Sequence, residues 1–285
     1  MTAVARTRAA LAELLAVPHG RRAVVMTMGA LHAGHLSLVH RAREIADQVV
    51  VTVFVNPLQF GPGEDLDRYP RDLHGDVALL TGAGADVVFA PDVHEMFPAG
   101  PPAVTVSAGP IGDVLEGVHR PGHFDGVLTI VLRLLNVVRP DVALFGQKDA
   151  QQLMAIRQMV TDLDVPVQVE ACPTVREPDG LAMSSRNAYL DREQRGAARA
   201  LYLSLRAGAR AVEDGADPEG VMRAVGEVLA AAPMTVDYVA LVDPVSARDV
   251  EADHRGAAVL AVAARVGTTR LIDNVELELR GGEGR

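Results

Sequence analysis

The stretch Ala23-Val24-Val25-Met26-Thr27-Met28-Gly29-Ala30-Leu31-His32-Ala33-Gly34-His35 decides how this chain is read. Ala23 to Met26 form a short apolar run, which reads as a buried strand. Leu38, Ala42 and Ile45 then recur at i, i+4 and i+7, with Val39 and Ala46 beside them, the period of an amphipathic helix. Two histidines flanked by glycines therefore sit where a strand becomes a helix. A helix N-terminus presents unpaired N–H groups and a partial positive charge, which suits a phosphate. Gly29 and Gly34 let backbone come close to a ligand. Imidazoles donate hydrogen bonds to phosphate oxygens and titrate near neutrality, so charge can follow a reaction. A lone His-x-x-His is more often incidental. Here strand, glycine, histidine pair and helix coincide, which favours a nucleotide site.

Working outward, the same rhythm repeats. Residues 1–17 carry Leu11, Leu14 and Leu15 at helical spacing and read as a leading helix ended by Pro18 and Gly20. Val49 to Val55 is a β-branched run and reads as a second buried strand, with Asn56-Pro57-Leu58-Gln59-Phe60-Gly61 directly after it. Asn56 and Gln59 are amides suited to hydroxyls or a carboxylate, although Asn-Pro and Gly also make ordinary turns. A helix is expected from about Tyr69 to Gly82, a third strand over Asp86–Ala90, and a fourth over Ala103–Val106 near a sheet edge. Segment 98–126 reads as a long functional loop, because it carries Glu116, Arg120, His123 and Asp125. Val127 to Val138 is apolar on nearly every side, a helix buried or at a subunit interface. Val142–Phe145 is another strand, followed by Gly146-Gln147-Lys148-Asp149, a helix bearing Leu153, Ile156, Met159 and Val160, and a strand over Val165–Val169.

Strand–helix alternation of this kind means a Rossmann-like α/β fold, a parallel sheet with crossover helices. The polar clusters at 28–35, 56–61 and 146–152 each follow the carboxyl end of a strand, the edge where open α/β sheets bind ligands. The pattern changes after Cys172-Pro173. Helices over 191–214 and 218–231 and strands over Val236–Val242, Ala257–Val262 and Arg270–Ile272 describe a smaller α+β C-terminal domain. The expected division is 1–174 and 175–285.

Composition narrows the class. The 285 residues are 49% hydrophobic and 22% charged, which describes a globular protein. No apolar run reaches the roughly 18 residues of a membrane span, and no secretory signal is visible. The single cysteine, Cys172, excludes an internal disulfide and fits a reducing cytoplasm. A net charge of −10 argues against broad nucleic-acid binding. Of the 27 basic residues only Lys148 is a lysine. In a chain that favours arginine, a retained lysine marks a place that needs a compact ammonium rather than a planar fork, chance survival being the alternative. The chain has no Walker loop, no G-x-G-x-x-G after its first strand, no G-x-S-x-G elbow, no H-E-x-x-H and no zinc-spaced Cys/His cluster.

Five motifs then carry a resemblance over nearly the whole chain. They are TMGALHAGH (27–35), FVNPLQFGPGEDLDRYPRD (54–72), RPGHFDGV (120–127), PDVALFGQKDAQQL (140–153) and REPDGLAMSSRNAYL (176–190). Together they resemble the pantoate–β-alanine ligases, or pantothenate synthetases, of the nucleotidyltransferase superfamily with a HIGH signature. The resemblance implies a homodimer with a Rossmann-like nucleotide- and pantoate-binding domain and a C-terminal lid. It implies that pantoate and Mg-ATP form pantoyl adenylate and pyrophosphate, and that β-alanine then displaces AMP.

It also implies roles for residues at matching positions. His32, His35, Lys148, Ser184, Ser185 and Arg186 would bind the phosphates and stabilise transferring charge, with acid/base help from His35. Gly146 and Asp149 would meet the ribose, and Met28, Val175 and Met183 the nucleotide. Gln59 and Gln152 would hold pantoate, with Asn56 near the phosphates or the incoming amine. Asp76 matches a position associated with magnesium. The chain departs from the family pattern at Gln147, usually Glu, at Ala150, often aromatic, and at His74-Gly75, a commonly acidic segment.

Two other readings compete. One is a related adenylyl- or cytidylyltransferase acting on a phosphate, against which stand the neutral amides Gln59 and Gln152. The other is a catalytically silent nucleotide-binding regulator, against which stand intact His32, His35 and Lys148. His19, His40, His94 and His254 read as surface or satisfied histidines, Glu64, Asp65 and Asp67 as a solvated loop, and Cys172 as a small buried apolar residue.

Overall fold

A computed structural model describes residues 2–17 and 20–280; Pro18 and His19 lie outside the described residues. The chain divides into two compact units, Met1–Gln147 with Ala155–Pro173, and Lys148–Met154 with Thr174–Arg285.

In the first unit, β1 (Ala3–Ala5) and α1 (Arg8–Leu15) lead into β2 (Arg22–Thr27), α2 (Ala33–Ile45) and β3 (Gln48–Val53). There follow α3 (Leu73–Ala83), β4 (Val87–Phe89), the short α4 (Val93–Met96) and α5 (Glu116–His119), then α6 (His123–Val138) and β5 (Val142–Gly146). The helix α7 (Ala150–Asp162) leads to β6 (Gln168–Cys172). The six strands form one parallel sheet in the order β1-β4-β3-β2-β5-β6. Val24 pairs with Val50 on one side and Ala143 on the other.

Both sheet faces are covered, as the continuous apolar strands require. Ala23, Val25, Val49, Val51, Val142 and Leu144 join Leu38, Val39 and Ala42 of α2 and Leu80 of α3 in one core cluster. The alternate residues Val24, Val50, Phe89 and Ala143 point to the opposite face and are buried as well. The order reverses at β2, which lies between β3 and β5, so the loops after β2, β3 and β5 share the ligand-binding edge of this sheet type.

Three expectations change here. Ala103–Val106 is not a strand: the Val106 N–H donates to Thr129 Oγ1 at 2.9 Å, so a side chain takes the bond a ladder would need, and Val104 is exposed. The edge strand is instead β1, too short to show a period of its own. The last strand of the sheet starts at Gln168, three residues later than Val165, because the Val165 N–H caps α7 by donating to Val160 O at 3.0 Å.

The second unit carries α8 (Arg192–Glu213), α9 (Pro218–Ala230) and the antiparallel strands β7 (Thr235–Val242), β8 (Gly256–Val266) and β9 (Thr269–Leu279) in that order. Asp191 and Gln194 close a capping box at the start of α8, and Asp217 with Pro218 opens α9. Leu201, Leu205, Val221, Val225 and Leu229 pack with Leu260 and Val262 of β8 and Leu271 of β9. The final strand is far longer than the expected Arg270–Ile272. It continues through Asp273 and Asn274, whose buried side chains find partners in Arg176 and the Lys148 carbonyl. No helix among the described residues is long and apolar enough to cross a membrane.

Candidate active site

The histidine pair is built by the turn between β2 and α2. Thr27 Oγ1 donates to Thr52 O at 2.8 Å and accepts from the Gly29 N–H at 3.2 Å, closing the strand end. Gly29 at φ +83° and Ala30 at φ +52° then reverse the chain. A Cβ on Gly29 would come within 2.8 Å of Asp76 Oδ2, so the position also needs glycine for space. His32 is the N-cap of α2, with Nδ1 accepting from the Gly34 N–H at 3.2 Å. His35 returns the bond, its Nδ1 accepting from the His32 N–H at 3.4 Å. The two rings lie 4.1 Å apart, tilted by 33°.

This reciprocal capping box has an electronic consequence. A backbone N–H can only donate, so both Nδ1 atoms are acceptors. In the neutral imidazoles the hydrogen is therefore on Nε2 in both rings. The helix start uses one nitrogen of each histidine and turns the other into a donor.

Asp76, the residue matched to a magnesium position, lies on α3. Its carboxylate is 4% exposed, and its oxygens accept from the Ala30 N–H at 3.1 Å and the Leu31 N–H at 2.9 Å. It clasps the turn that delivers His32. Among the described residues no group of three or more His, Cys, Asp or Glu is arranged to hold a metal ion.

After β3, Asn56 is 1% exposed and caps the 3-10 turn Pro57–Gln59. Its Oδ1 accepts from the Leu58 N–H at 3.2 Å. Its Nδ2 donates to Gln59 Oε1 and to Gly126 O, both at 3.1 Å. Asn56 therefore orients the amide of Gln59, whose Nε2 points at Met28 Sδ, 3.3 Å away. The turn lies hard against α6: a Cβ on Gly126 would sit 2.2 Å from Leu58 O. Glu64 is not in a solvated loop as expected. It pairs with Arg120 through two bonds of 2.7 and 2.6 Å. Burial opposes its ionisation, but the Arg120 hydrogen bond and charge, with the Gly61 amide, outweigh burial and lower its pKa.

In the second unit Lys148 lies in the 3-10 turn Gln147–Asp149, half-buried, with Nζ 3.3 Å from Asp149 Oδ1. Its carbonyl accepts from Asn274 Nδ2 at 2.8 Å. The neighbouring Asp273 takes a two-pronged bond from Arg176 at 2.6 and 3.0 Å. Segment 175–183 is a hairpin: Met183 N–H donates to Val175 O at 3.0 Å, and Gly180, at φ +92°, turns under the Tyr202 ring. Arg195 ties Glu177 and Asp179 beneath it. Ser184 Oγ caps the 3-10 turn Ser185–Tyr189 by accepting from the Arg186 N–H at 3.3 Å. Asn187 is buried there, donating to Glu177 Oε1 and Ala182 O. Gln152 is half-buried on α7. A Cβ on Gly146 would meet nothing within 4 Å, so protein packing does not demand that glycine.

Sequence reasoning missed the supporting residues Asp273, Asn274 and Glu64. Each is polar in a segment where polar residues are usually solvent-facing, and only a buried partner marks it. His40 and His94 are exposed, and His254 bonds Ala257 O at 3.1 Å, as bland histidines should; His19 lies outside the described residues. Cys172 is buried, its thiol pushed up to about 11, chiefly by burial and secondly by Glu170, so it is an apolar filler.

Comparison with known proteins agrees. Residues 1–276 match the family model described as pantoate-beta-alanine ligase. The pantothenate synthetase of Thermobifida fusca is 56% identical over 270 residues, 91% of this chain and 90% of that protein. That of Streptomyces avermitilis is 51% identical over 312 residues, covering 92% and 94%. The crystal structure of pantothenate synthetase from Thermus thermophilus has a TM-score of 0.91 at 48% identity, over 96% of this chain and 99% of that one. The pantoate-beta-alanine ligase of Francisella tularensis, solved with beta-gamma ATP and beta-alanine, has a TM-score of 0.79 at 31% identity over 96% and 97%. With the histidine capping box, the lysine turn and the doubly covered parallel sheet in place, this chain belongs to the pantoate–β-alanine ligase family.

Proposed function

We propose that this ligase joins pantoate to β-alanine through pantoyl adenylate, with the residues named above in the following roles. A pantoate carboxylate oxygen attacks the α-phosphorus of ATP; the new O–P bond forms as the bond to pyrophosphate breaks. The β-alanine amine then attacks the acyl carbon, the C–O bond to AMP breaks, and the amine loses a proton. Charge builds on phosphate oxygens in the first step, so preorganised donors and cations supply most of the catalysis.

The observation that carries this reading is the His32–His35 capping box. It sets both Nε2 atoms as donors, which suits hydrogen bonds to phosphate oxygens. Lys148, Ser184, Ser185 and Arg186 are the further phosphate donors. Gly146 and Asp149 take the ribose, and backbone at Met28, Val175 and Met183 takes the nucleotide. The open space at Gly146 fits a ligand's close approach. Gln59 and Gln152 bind pantoate's oxygens, and Asn56 acts through Gln59. Magnesium enters with the ATP phosphates, as that ion commonly does, while Asp76 holds the histidine turn. The first unit is read as the nucleotide- and pantoate-binding domain, the second as its lid, and the enzyme as a cytoplasmic homodimer.

The test is purified protein with ATP, pantoate and magnesium. Pyrophosphate should appear without β-alanine as a single-turnover burst, and continuous turnover should need β-alanine. No burst at enzyme-equivalent concentration would remove the adenylate step.

A further inference from the structure

Gln59 is held at its main chain as well as at its amide. Arg120 can only donate, so its Nη1 donates to His123 Nε2 across 3.0 Å. That bond makes Nε2 the acceptor and puts the imidazole hydrogen on Nδ1, which donates to the Gln59 carbonyl at 2.8 Å. Arg120 Nη2 reaches the same carbonyl at 3.3 Å. Glu64 fills the rest of the guanidinium fork, fixing its plane. Arg120, His123 and the Gln59 carbonyl close a ring between the loop after β3 and the turn into α6, with Glu64 bracing Arg120 from outside it.

The ring works only with His123 neutral. A second proton would set an N–H against the guanidinium. Burial and the Arg120 charge both lower the His123 pKa; the Gln59 carbonyl, Glu64 and Glu116 oppose them and lose. The imidazole and the Phe124 ring meet edge to face, with ring centroids 5.0 Å apart. The grip has no slack, because a Cβ on Gly126 would already lie 2.7 Å from Gln59 N.

We propose that Glu64, Arg120 and His123 are positioning residues that hold the main chain of Gln59 in its binding setting. The consequence for pantoate rests on the reading of Gln59 given above. Arg120 is not a substrate cation on this view, since Glu64 and Gln59 already engage its guanidinium.

Two substitutions in the full-length enzyme separate the halves of the ring. His123→Asn keeps an N–H near the Nδ1 position for Gln59 but loses the acceptor for Arg120. His123→Gln keeps an acceptor near Nε2 but loses the donor to Gln59. His123→Gln should raise KM for pantoate about tenfold, the scale of one lost buried hydrogen bond, with KM for ATP nearly unchanged. Amide exchange across 57–61 should accelerate in the same variant. His123→Asn should keep pantoate KM near wild type. Unchanged exchange and pantoate KM in His123→Gln would overturn the proposal, as would equal damage from both substitutions to pantoate and ATP alike. If His123→Gln accelerates exchange while Gln59→Ala leaves pantoate binding intact, the clamp stands and the pantoate role of Gln59 falls.

Discussion

Asn274, near the middle of β9, donates its side-chain amide to the main-chain carbonyl of Lys148 at 2.8 Å. A 6%-exposed amide thereby holds the turn that carries the only lysine of the chain. Asn274→Ala removes that buried bond, at a cost of about 1–3 kcal/mol. Urea unfolding should show the loss, and adenylation should slow with it. Wild-type stability and rate together would show that the bond holds nothing.

Lys148 should be less replaceable than any arginine. Lys148→Arg keeps the charge but not the compact ammonium. Adenylation should fall by about 10² or more, the scale of one removed electrostatic donor, with a smaller loss in ATP affinity. Arg133→Lys, where the arginine stacks 5.3 Å from the Phe97 ring, should leave the chemistry nearly intact. Single-turnover formation of pantoyl adenylate compares the two.

The amides should select the acid. Gln59→Ala and Gln152→Ala should each weaken pantoate binding by about 1–3 kcal/mol, because a substrate oxygen loses its partner. ATP binding should change much less. Calorimetry with each ligand decides, and equal losses for both would assign the amides elsewhere.

Asp76 should matter to the histidine turn and not to magnesium. Asp76→Asn sets an NH2 group against either the Ala30 or the Leu31 N–H. The expected cost is about 1–3 kcal/mol in stability with a lower adenylation rate. The magnesium concentration for half-maximal rate should not move. A large shift in that concentration would return Asp76 to the metal.

The pH dependence has a definite sign. His123 has a pKa below the ordinary histidine value, because of burial and then Arg120. The unfolded chain therefore takes up this proton first as pH falls below about 6.5. Stability from the neutral imidazole is complete above that pH and declines as pH drops through the lowered folded value. Glu64, also lowered, acts the same way but in the carboxylate range. Between pH 7.5 and 5.5 the urea midpoint of the wild type should fall more steeply than that of His123→Asn. Parallel curves would dismiss the neutral-histidine requirement.

Much of this protein was legible in its residues because local rules act over short distances. Continuous apolar runs marked β2, β3 and β5, and a 3.6-residue period marked α2, and hence a parallel sheet. The order glycine, His32, Gly34, His35 placed the histidines at a helix start, and the motifs placed the chain in its family. The sequence alone also singled out Lys148. Other features depended on partners far along the chain. Asp273 and Asn274 resemble turn formers, yet they stay in β9 because Arg176 and the Lys148 carbonyl satisfy them. Glu64 belongs to an acidic run until Arg120, 56 residues away, takes up its charge. Asp76 became a backbone clasp because both its oxygens meet amides of a turn 45 and 46 residues earlier. A buried polar group needs a partner, and only the folded chain shows where that partner comes from.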